Sequence, residues 1–265
     1  MIRGSTVTIF CILTLTASVA LARIHPFGDA GLFNADTTKP IMERTSVPSD
    51  VRTILAAKCA DCHSMKTRSP SYGRLAPVSW LMERDIIWGR RVMNLSIWDS
   101  YTAEQQQTFA SKIVQEVRTH EMPLPQYRLT HWKSRITDTE IRTLANWAHA
   151  SSGYADGAPD QSGAEGNTSR GKALFEKRCT GCHALTQNHE GPQLKGVYGR
   201  TSGSVADYAY SEALKKARIV WDDHSLGKWL TDPDALVPNN NMDFLVSNPQ
   251  ERRDLISYLK LVSGK

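Results

Sequence analysis

Two five-residue stretches share one pattern, and they constrain the fold of this 265-residue chain more than any other feature. Residues 59–63 read C-A-D-C-H and residues 179–183 read C-T-G-C-H. In each stretch two residues separate a pair of cysteines, and a histidine follows directly. On a single helical turn this spacing sets the two sulfur atoms side by side, with the imidazole next to them. Each half of the chain must therefore fold around whatever these three side chains hold.

The C-x-x-C-H pattern is the attachment signal for c-type haem. The two thiols add to the vinyl groups along one edge of the porphyrin, and the histidine becomes an axial ligand of the iron. A zinc site would not require one histidine at the same offset in each cluster, and a redox dithiol requires no histidine. The sequence predicts two covalently attached haem c groups. The attachment residues are Cys59, Cys62, Cys179 and Cys182, and the axial histidines are His63 and His183.

Each iron has a second axial position, where a methionine thioether gives the Met/His ligation of cytochromes c. Met122 follows His63 by 59 residues, and Met242 follows His183 by the same interval. We predict Met122 and Met242 as the second ligands. Pro123 stiffens the loop that presents the first of these methionines.

Other side chains compete with Met122 for the first iron. His120 is the main rival, because it lies two residues away and imidazole also ligates haem iron. Met82 and Met93 fall within a helical apolar pattern, so they are expected to pack in the core. His131 is a further candidate, and an iron with an open position is the remaining alternative.

The first 22 residues have the pattern of a signal peptide. Arg3 gives a short positive start, an apolar run extends from Val7 to Ala22, and the run ends in the small-residue signal A-L-A. We predict cleavage before Arg23 and export to the periplasm. The alternative is an uncleaved membrane tether, although the apolar run is shorter than the roughly 20 residues that a span needs.

The charge balance indicates the class of partner. The net charge is +5, far below that of a dedicated nucleic-acid-binding protein. A mildly basic surface suits redox partner proteins that are acidic at the docking face. No stable membrane span is expected after signal cleavage.

A Gly-rich, polar stretch divides the mature chain. Residues 151–168 are predicted to form a flexible linker, with a structured surface loop as the alternative. We expect an N-terminal arm at residues 23–48, a first haem-binding domain at 49–150 and a second domain at 169–265. Helical spacing of apolar residues and the capping boxes at Thr102 and Thr137 predict two all-α domains, each wrapped around one haem. Ser49 or Asp50 is expected to cap the first helix.

Residues 169–265 resemble a class I cytochrome c of the mitochondrial and bacterial type. In that family the first and last helices cross at a glycine beside aromatic side chains, and Gly171, Phe175 and Tyr258 stand at these places. The stretch G-P-Q-L-K-G-V-Y-G-R at 191–200 matches the family loop that follows the haem motif. The resemblance implies a cytochrome c fold for the whole second domain.

The same resemblance implies roles for individual residues. The carbonyl of Pro192 would accept a hydrogen bond from His183. The residues near the haem propionates would be Arg200, Tyr210 and Trp221. Met242 would be the distal ligand, with Phe244 at the family's aromatic position. The run Asn239–Asn241 replaces the family's Gly-Thr-Lys-like run, and an asparagine there could still donate a hydrogen bond near the thioether.

The first half resembles a family of small bacterial haem-binding domains. These domains carry C-x-x-C-H-S early and M-P-x-x-x-Y late, which correspond here to Cys59–Ser64 and Met122–Tyr127. The likeness extends over about residues 49–150, and it implies one haem in this half.

Two haems with both axial positions filled leave no room for a substrate on iron, so the leading hypothesis is electron transfer between redox partners. The chain would act alone or as the cytochrome subunit of an oxidoreductase system, rather than as an enzyme. The alternatives are a peroxidase- or nitrite-type redox enzyme and a gas sensor, each with an open iron at the first haem.

Overall fold

Helices account for all regular secondary structure in the described part of the chain. The computed structural model describes residues 2–33, 41–42, 47–151 and 165–265. Within these residues there is no strand, and one isolated antiparallel bridge joins Thr201 to Val220. The predicted all-α class is confirmed. Most of the predicted linker, at 152–164, and part of the predicted arm, at 34–40 and 43–46, lie outside the described residues.

The helices follow one another with short connections. The first four α-helices are α1 (Ile2–Leu21), α2 (Ser49–Lys58), α3 (Ala60–His63) and α4 (Val78–Val92). The next four are α5 (Ala103–Arg118), α6 (Pro125–Thr130), α7 (Asp138–Ser151) and α8 (Thr168–Arg178). The last four are α9 (Glu212–Ala217), α10 (Asp223–Thr231), α11 (Pro233–Leu236) and α12 (Pro249–Val262). Short 3₁₀ helices lie at Ser71–Arg74, Leu95–Ser100 and Trp132–Ser134.

The chain divides into two compact units. The first contains the described residues of Met1–Tyr101 together with Lys133–Arg135, and the second contains Thr102–Trp132 with Ile136–Lys265. Helices α5 and α7 therefore belong to the same unit as the C-terminal residues. The division falls at Tyr101, not at the Gly-rich stretch where the sequence suggests a linker.

The first unit is built around α2 and α4. Leu55 of α2 is fully buried, and Ile86 of α4 forms an apolar cluster with Ala30 and Leu32 of the predicted arm. The predicted cap of α2 is wrong, because Pro48 takes the N-cap position and no side chain accepts a hydrogen bond there.

Helix α1 covers the segment predicted as a signal peptide. Its C-terminal end is bonded within the first unit: the Ser18 hydroxyl donates to the carbonyl of Ala76 at 2.7 Å, and the Trp80 indole donates to the carbonyl of Leu21 at 3.1 Å. Among the described residues, no helix combines the length and apolar character needed to cross a bilayer. Cleavage after Ala22 stays a prediction.

The capping boxes start α5 and α7 as the sequence predicts. The Thr102 hydroxyl accepts from the backbone of Gln105, whose side chain accepts from the backbone of Thr102. Thr137 and Glu140 make the same reciprocal pair, at 2.8 and 3.3 Å. Each box satisfies backbone donors that the first turn of a helix leaves without partners.

Helices α8 and α12 cross at a glycine in the second unit. A Cβ placed on Gly171 would lie 1.9 Å from the carbonyl oxygen of Asp254, so only glycine permits this approach. Phe175 and Tyr258 pack beside the crossing, with ring centroids 5.4 Å apart. The crossing that the family resemblance implies is present, and it brings the C-terminal end of α8 against the core of the unit.

We expect Gly171→Ala to destabilise the protein by about 3 kcal/mol or more, because the new methyl group would force the two helix backbones apart. The matched control is Gly227→Ala in α10, where an added Cβ meets no atom within 4 Å. That change should stabilise by about 1 kcal/mol through helix propensity. Urea unfolding of both variants checks this, and equal effects would contradict the tight crossing.

Candidate functional site

The second C-x-x-C-H stretch continues the last turn of α8. Cys179 is the C-cap residue, and its carbonyl accepts hydrogen bonds from the backbone amides of Cys182 and His183, at 3.1 and 2.8 Å. This turn fixes the positions of the two thiols and the imidazole relative to one another. The local geometry is the one expected from the spacing in the sequence.

One cavity collects the groups that the sequence predicts for the second site. It has a volume of about 1280 Å³, including the part open to solvent. Cys179, Cys182, His183 and Met242 all line it. Its other lining residues include the four further predicted side chains, Pro192, Arg200, Tyr210 and Trp221. Apolar walls come from Phe175, Leu194, Val197, Leu226, Trp229, Leu230, Leu255 and Leu259.

These residues fit a covalently held haem. Two thiols, an imidazole and a thioether face one largely apolar space, which is the donor set and the surrounding that a c-type haem requires. None of the four cysteines of the two motifs forms a disulfide, so all four thiols are available for attachment.

His183 is held in one orientation. Its Nδ1 lies 2.8 Å from the carbonyl oxygen of Pro192, which is the hydrogen bond that the family resemblance implies. This bond leaves Nε2 to face the cavity as the ligand atom. A Cβ on Gly191 would come within 2.2 Å of the ring, so the neighbouring backbone confines the imidazole. Burial lowers the pKa of His183, which favours the neutral form that a metal ligand needs.

The thiols are electrostatically unsuited to the alternative chemistries. Burial raises the pKa of the Cys179 and Cys182 thiols to about 12. Zinc binding and dithiol exchange both use the thiolate, which this environment disfavours. The structure therefore offers these sulfur atoms as thiols, in agreement with thioether formation.

Met242 is fixed by a buried asparagine. The Asn240 side chain accepts from the backbone amide of Met242 at 2.7 Å and donates to Asp234 at 2.9 Å and to the carbonyl of Val237 at 3.0 Å. The Trp229 indole donates to the Met242 sulfur at 3.1 Å. The donor near the thioether is thus a tryptophan and not an asparagine. The sequence analysis missed Trp229 because its spacing on α10 looks like ordinary core packing.

Asp243 follows the predicted ligand and is tied to two distant helices. Arg118 at the end of α5 lies 3.3 Å from Asp243 Oδ1, and His149 on α7 lies 3.1 Å from the same atom. The hydrogen bond to Asp243 raises the pKa of His149, while burial raises the pKa of Asp243. No sequence signal links these residues, because 94 positions separate His149 from Asp243.

The residues expected near the propionates lie at one side of the cavity. Arg200 donates to the carbonyls of Gln193 and Lys195, at 2.9 and 3.3 Å, and burial lowers its pKa. Tyr210 packs edge-on against Tyr208, with ring centroids 4.6 Å apart. Tyr208 also lines the cavity and was not predicted.

The first C-x-x-C-H stretch has the same backbone turn. The amides of Cys62 and His63 donate to the carbonyl of Cys59 at 3.3 and 3.0 Å. His63 Nδ1 lies 3.2 Å from the carbonyl oxygen of Met93, which orients this imidazole. Met93 was expected only to pack, and a role carried by its backbone leaves no trace in the sequence. Burial lowers the pKa of His63 and raises that of Cys62 to about 12.

Two charged side chains hold the segment that follows this motif. Asp61 bonds Arg68 at 2.8 Å. Arg90 on α4 donates to the Ser64 carbonyl at 2.8 Å and to the Thr67 hydroxyl at 2.9 Å. The first motif is thereby fixed against α4 within its own unit.

Met122 lies in the second unit, four residues after the end of α5. Its side chain is partly buried, and its backbone amide donates to the carbonyl of Glu116 at 3.2 Å. The rival His120 is exposed, with a left-handed φ of 61°. His131 stacks on Tyr127, with ring centroids 4.1 Å apart. Ligation of the first iron by Met122 stays a prediction.

Two family models match the chain. A family described as haem-binding domain matches residues 19–150, and a family described as cytochrome c matches residues 168–263. Both resemblances inferred from the motifs are thereby confirmed.

Individual relatives match the second region. Cytochrome c of Euglena viridis is 49% identical over 98 residues, which are 36% of this chain and 96% of that protein. Cytochrome c2 of Agrobacterium tumefaciens (strain II Chrys) is 43% identical over 102 residues, which are 36% of this chain and 91% of that protein. The solved structure of cytochrome cH from Methylobacterium extorquens is 43% identical with a TM-score of 0.35, covering 36% of this chain and 99% of that one.

The contact between His149 and Asp243 should make stability depend on pH. Because the folded-state pKa of His149 is raised above 6.5, its contribution is complete below that value and is lost as the pH rises through the folded-state pKa. We expect His149→Gln to lower the free energy of unfolding by about 1 kcal/mol at about pH 5.5 and by much less at about pH 9.

Urea unfolding at the two pH values measures this difference. The control is His224→Gln, which changes an exposed histidine on α10. A loss of the same size at both pH values would contradict the charged contact.

Proposed function

Because the chain belongs to the cytochrome c family, we propose that it is an exported dihaem cytochrome c that transfers electrons between redox partner proteins. The observation that carries the proposal is that Cys179, Cys182, His183 and Met242 line one cavity. A bound haem supplies a reversible one-electron change at its iron.

The residues of the second cavity would hold the cofactor rigidly. Cys179 and Cys182 would attach it, and His183 and Met242 would fill the two axial positions. The carbonyl of Pro192 keeps the histidine in its ligating tautomer, and Asn240 holds the backbone of the methionine loop. With both axial positions filled by protein, substrates are kept off the metal, which favours an electron carrier over an enzyme.

The first haem would be attached through Cys59 and Cys62 and ligated by His63 and Met122. The proposal is supported by the same turn and the same oriented, neutral imidazole as in the second site. The family model for haem binding over residues 19–150 gives independent support. The corresponding domains would be residues 49–150 and 169–265, joined by a linker at 151–168.

Export is the remaining part of the proposal. The apolar segment at 1–22 with its A-L-A ending supports a signal peptide and a periplasmic location. The net charge of +5 supports redox partners whose docking face is acidic. Covalent attachment would prevent loss of the haem outside the cytoplasm.

Absorption spectra of the purified mature protein test this function. We expect two haems per chain, a methionine–iron charge-transfer band for both, and no reaction with carbon monoxide. High-spin features, or carbon monoxide binding at half of the haem, would show an open iron and would contradict the carrier function in favour of a redox enzyme or a gas sensor.

Methionine substitutions assign the ligands. Met122→Ala should open one iron, so that half of the haem binds carbon monoxide. Met82→Leu is the matched control, because this methionine lies inside α4 and is expected to leave both irons closed. Met242→His should lower one of the two midpoint potentials, since thioether ligation raises the potential of a cytochrome. An unchanged spectrum in Met122→Ala would exclude this methionine as a ligand.

A further inference from the structure

We propose that helix α5 is a built-in cover of the second haem cavity, closing the edge beside the attachment cysteines. This edge would then be sealed by the chain itself and not offered to a docking protein. The proposal rests on the proposed haem in this cavity, but it concerns the residues of α5, none of which was predicted to belong to that site.

One face of α5 forms part of the cavity wall. Thr108, Ser111 and Gln115 line the cavity together with Cys179 and Cys182. Their spacing of three and four residues places them on one side of the helix. A Cβ added to Gly181, between the two cysteines, would lie 3.3 Å from the Thr108 methyl group. The helix therefore contacts the attachment motif itself.

The lining face of α5 differs from its core face. The buried apolar residues Ala110, Ile113, Val114 and Val117 account for the packing of a helix whose main neighbour is α7. The three lining residues are uncharged and short or amide-bearing. They exclude bulk water from the cavity edge without placing a charge beside it, which suits a redox centre whose potential depends on exposure and nearby charge.

Polar contacts fasten α5 along its whole length. At its first turn Glu104 pairs with Lys177 at 2.9 Å, and one turn later Gln107 accepts from Arg178 at 2.7 Å. In the middle Lys112 pairs with Glu190 at 2.9 Å. Exposed pairs contribute little singly, but the bond between Gln107 and Arg178 is buried.

The C-terminal half of α5 is fastened beside the haem motif. The Gln115 amide donates to the carbonyl of Glu190 at 2.8 Å, and Arg118 pairs with Asp234 at 2.8 Å. Glu190 precedes Gly191, which confines the His183 ring. The cover is thus bonded to the loop that orients the axial histidine.

The cover also continues into the proposed ligand of the other haem. The amides of Glu121 and Met122 both donate to the carbonyl of Glu116, at 3.1 and 3.2 Å. The last turn of α5 is therefore joined to the Met122 loop by backbone bonds. One helix would close the second site and present a ligand of the first.

A charge placed on the lining face tests how close α5 lies to the haem. Ser111→Asp should shift the ferric–ferrous equilibrium of the second haem about tenfold toward the ferric form, because a nearby carboxylate stabilises the positive iron. Ser111→Asn, of nearly the same shape, should leave the midpoint unchanged. Ala103→Asp adds the same charge at the exposed first residue of α5 and should also leave it unchanged.

Potentiometric titration measures these midpoints, and Met242→His identifies the wave of the second haem. An unchanged midpoint in Ser111→Asp, or equal shifts in Ser111→Asp and Ala103→Asp, would overturn the proposal. The haem content of each variant is measured first, by alkaline pyridine. One haem per chain in the unsubstituted protein would instead contradict the dihaem function, so the two failures are distinguishable.

A charge swap tests the closing itself. Lys112→Glu should loosen α5 and speed the reduction of the second haem by duroquinol, a small neutral reductant, several-fold. The double variant Lys112→Glu with Glu190→Lys should restore the slow rate, and Lys172→Glu on the exposed side of α8 should not change it. Equal rates in all four proteins, or a double variant as fast as Lys112→Glu, would show that α5 does not seal the edge.

Discussion

The turn that closes on the carbonyl of Cys179 is the interaction on which the second site depends. It places two thiols and an imidazole at the end of α8, and the glycine crossing with α12 carries that end into the core. A side chain at position 171 would separate the helices and open the cavity on one side. The chemistry of the motif therefore depends on a backbone contact between two helices far apart in the sequence.

Burial has opposite effects on the two kinds of donor, and both effects suit a covalently held haem. It raises the pKa of the thiols in both motifs and lowers the pKa of both histidines. Neutral thiols are poor ligands for zinc, whereas neutral imidazoles are good ligands for iron. The same desolvation thus separates the haem interpretation from its alternatives, and carbonyl acceptors at Met93 and Pro192 complete each histidine.

Local patterns predicted much of this molecule. The helical class, two capping boxes, the crossing glycine and the carbonyl of Pro192 could all be anticipated, because each depends on spacing or on a family motif. The contacts of Trp229, Arg118 and His149 could not, because they join residues whose sequence neighbourhoods look like ordinary helix. The cap of α2 was wrong because Pro48, with its fixed φ, begins the helix without a side-chain acceptor.

Helix α5 shows why a sequence family and a compact unit need not have the same boundary. The haem-binding family model includes α5 within residues 19–150, yet its contacts place it with the C-terminal residues. A chain that began at the Gly-rich stretch would keep the second motif, Met242 and Trp229. It would lose Arg118 and His149, and Asp243 would then be a buried carboxylate without its two cationic neighbours. Since an uncompensated buried charge is costly, the loop that carries Met242 depends on helices that precede the stretch.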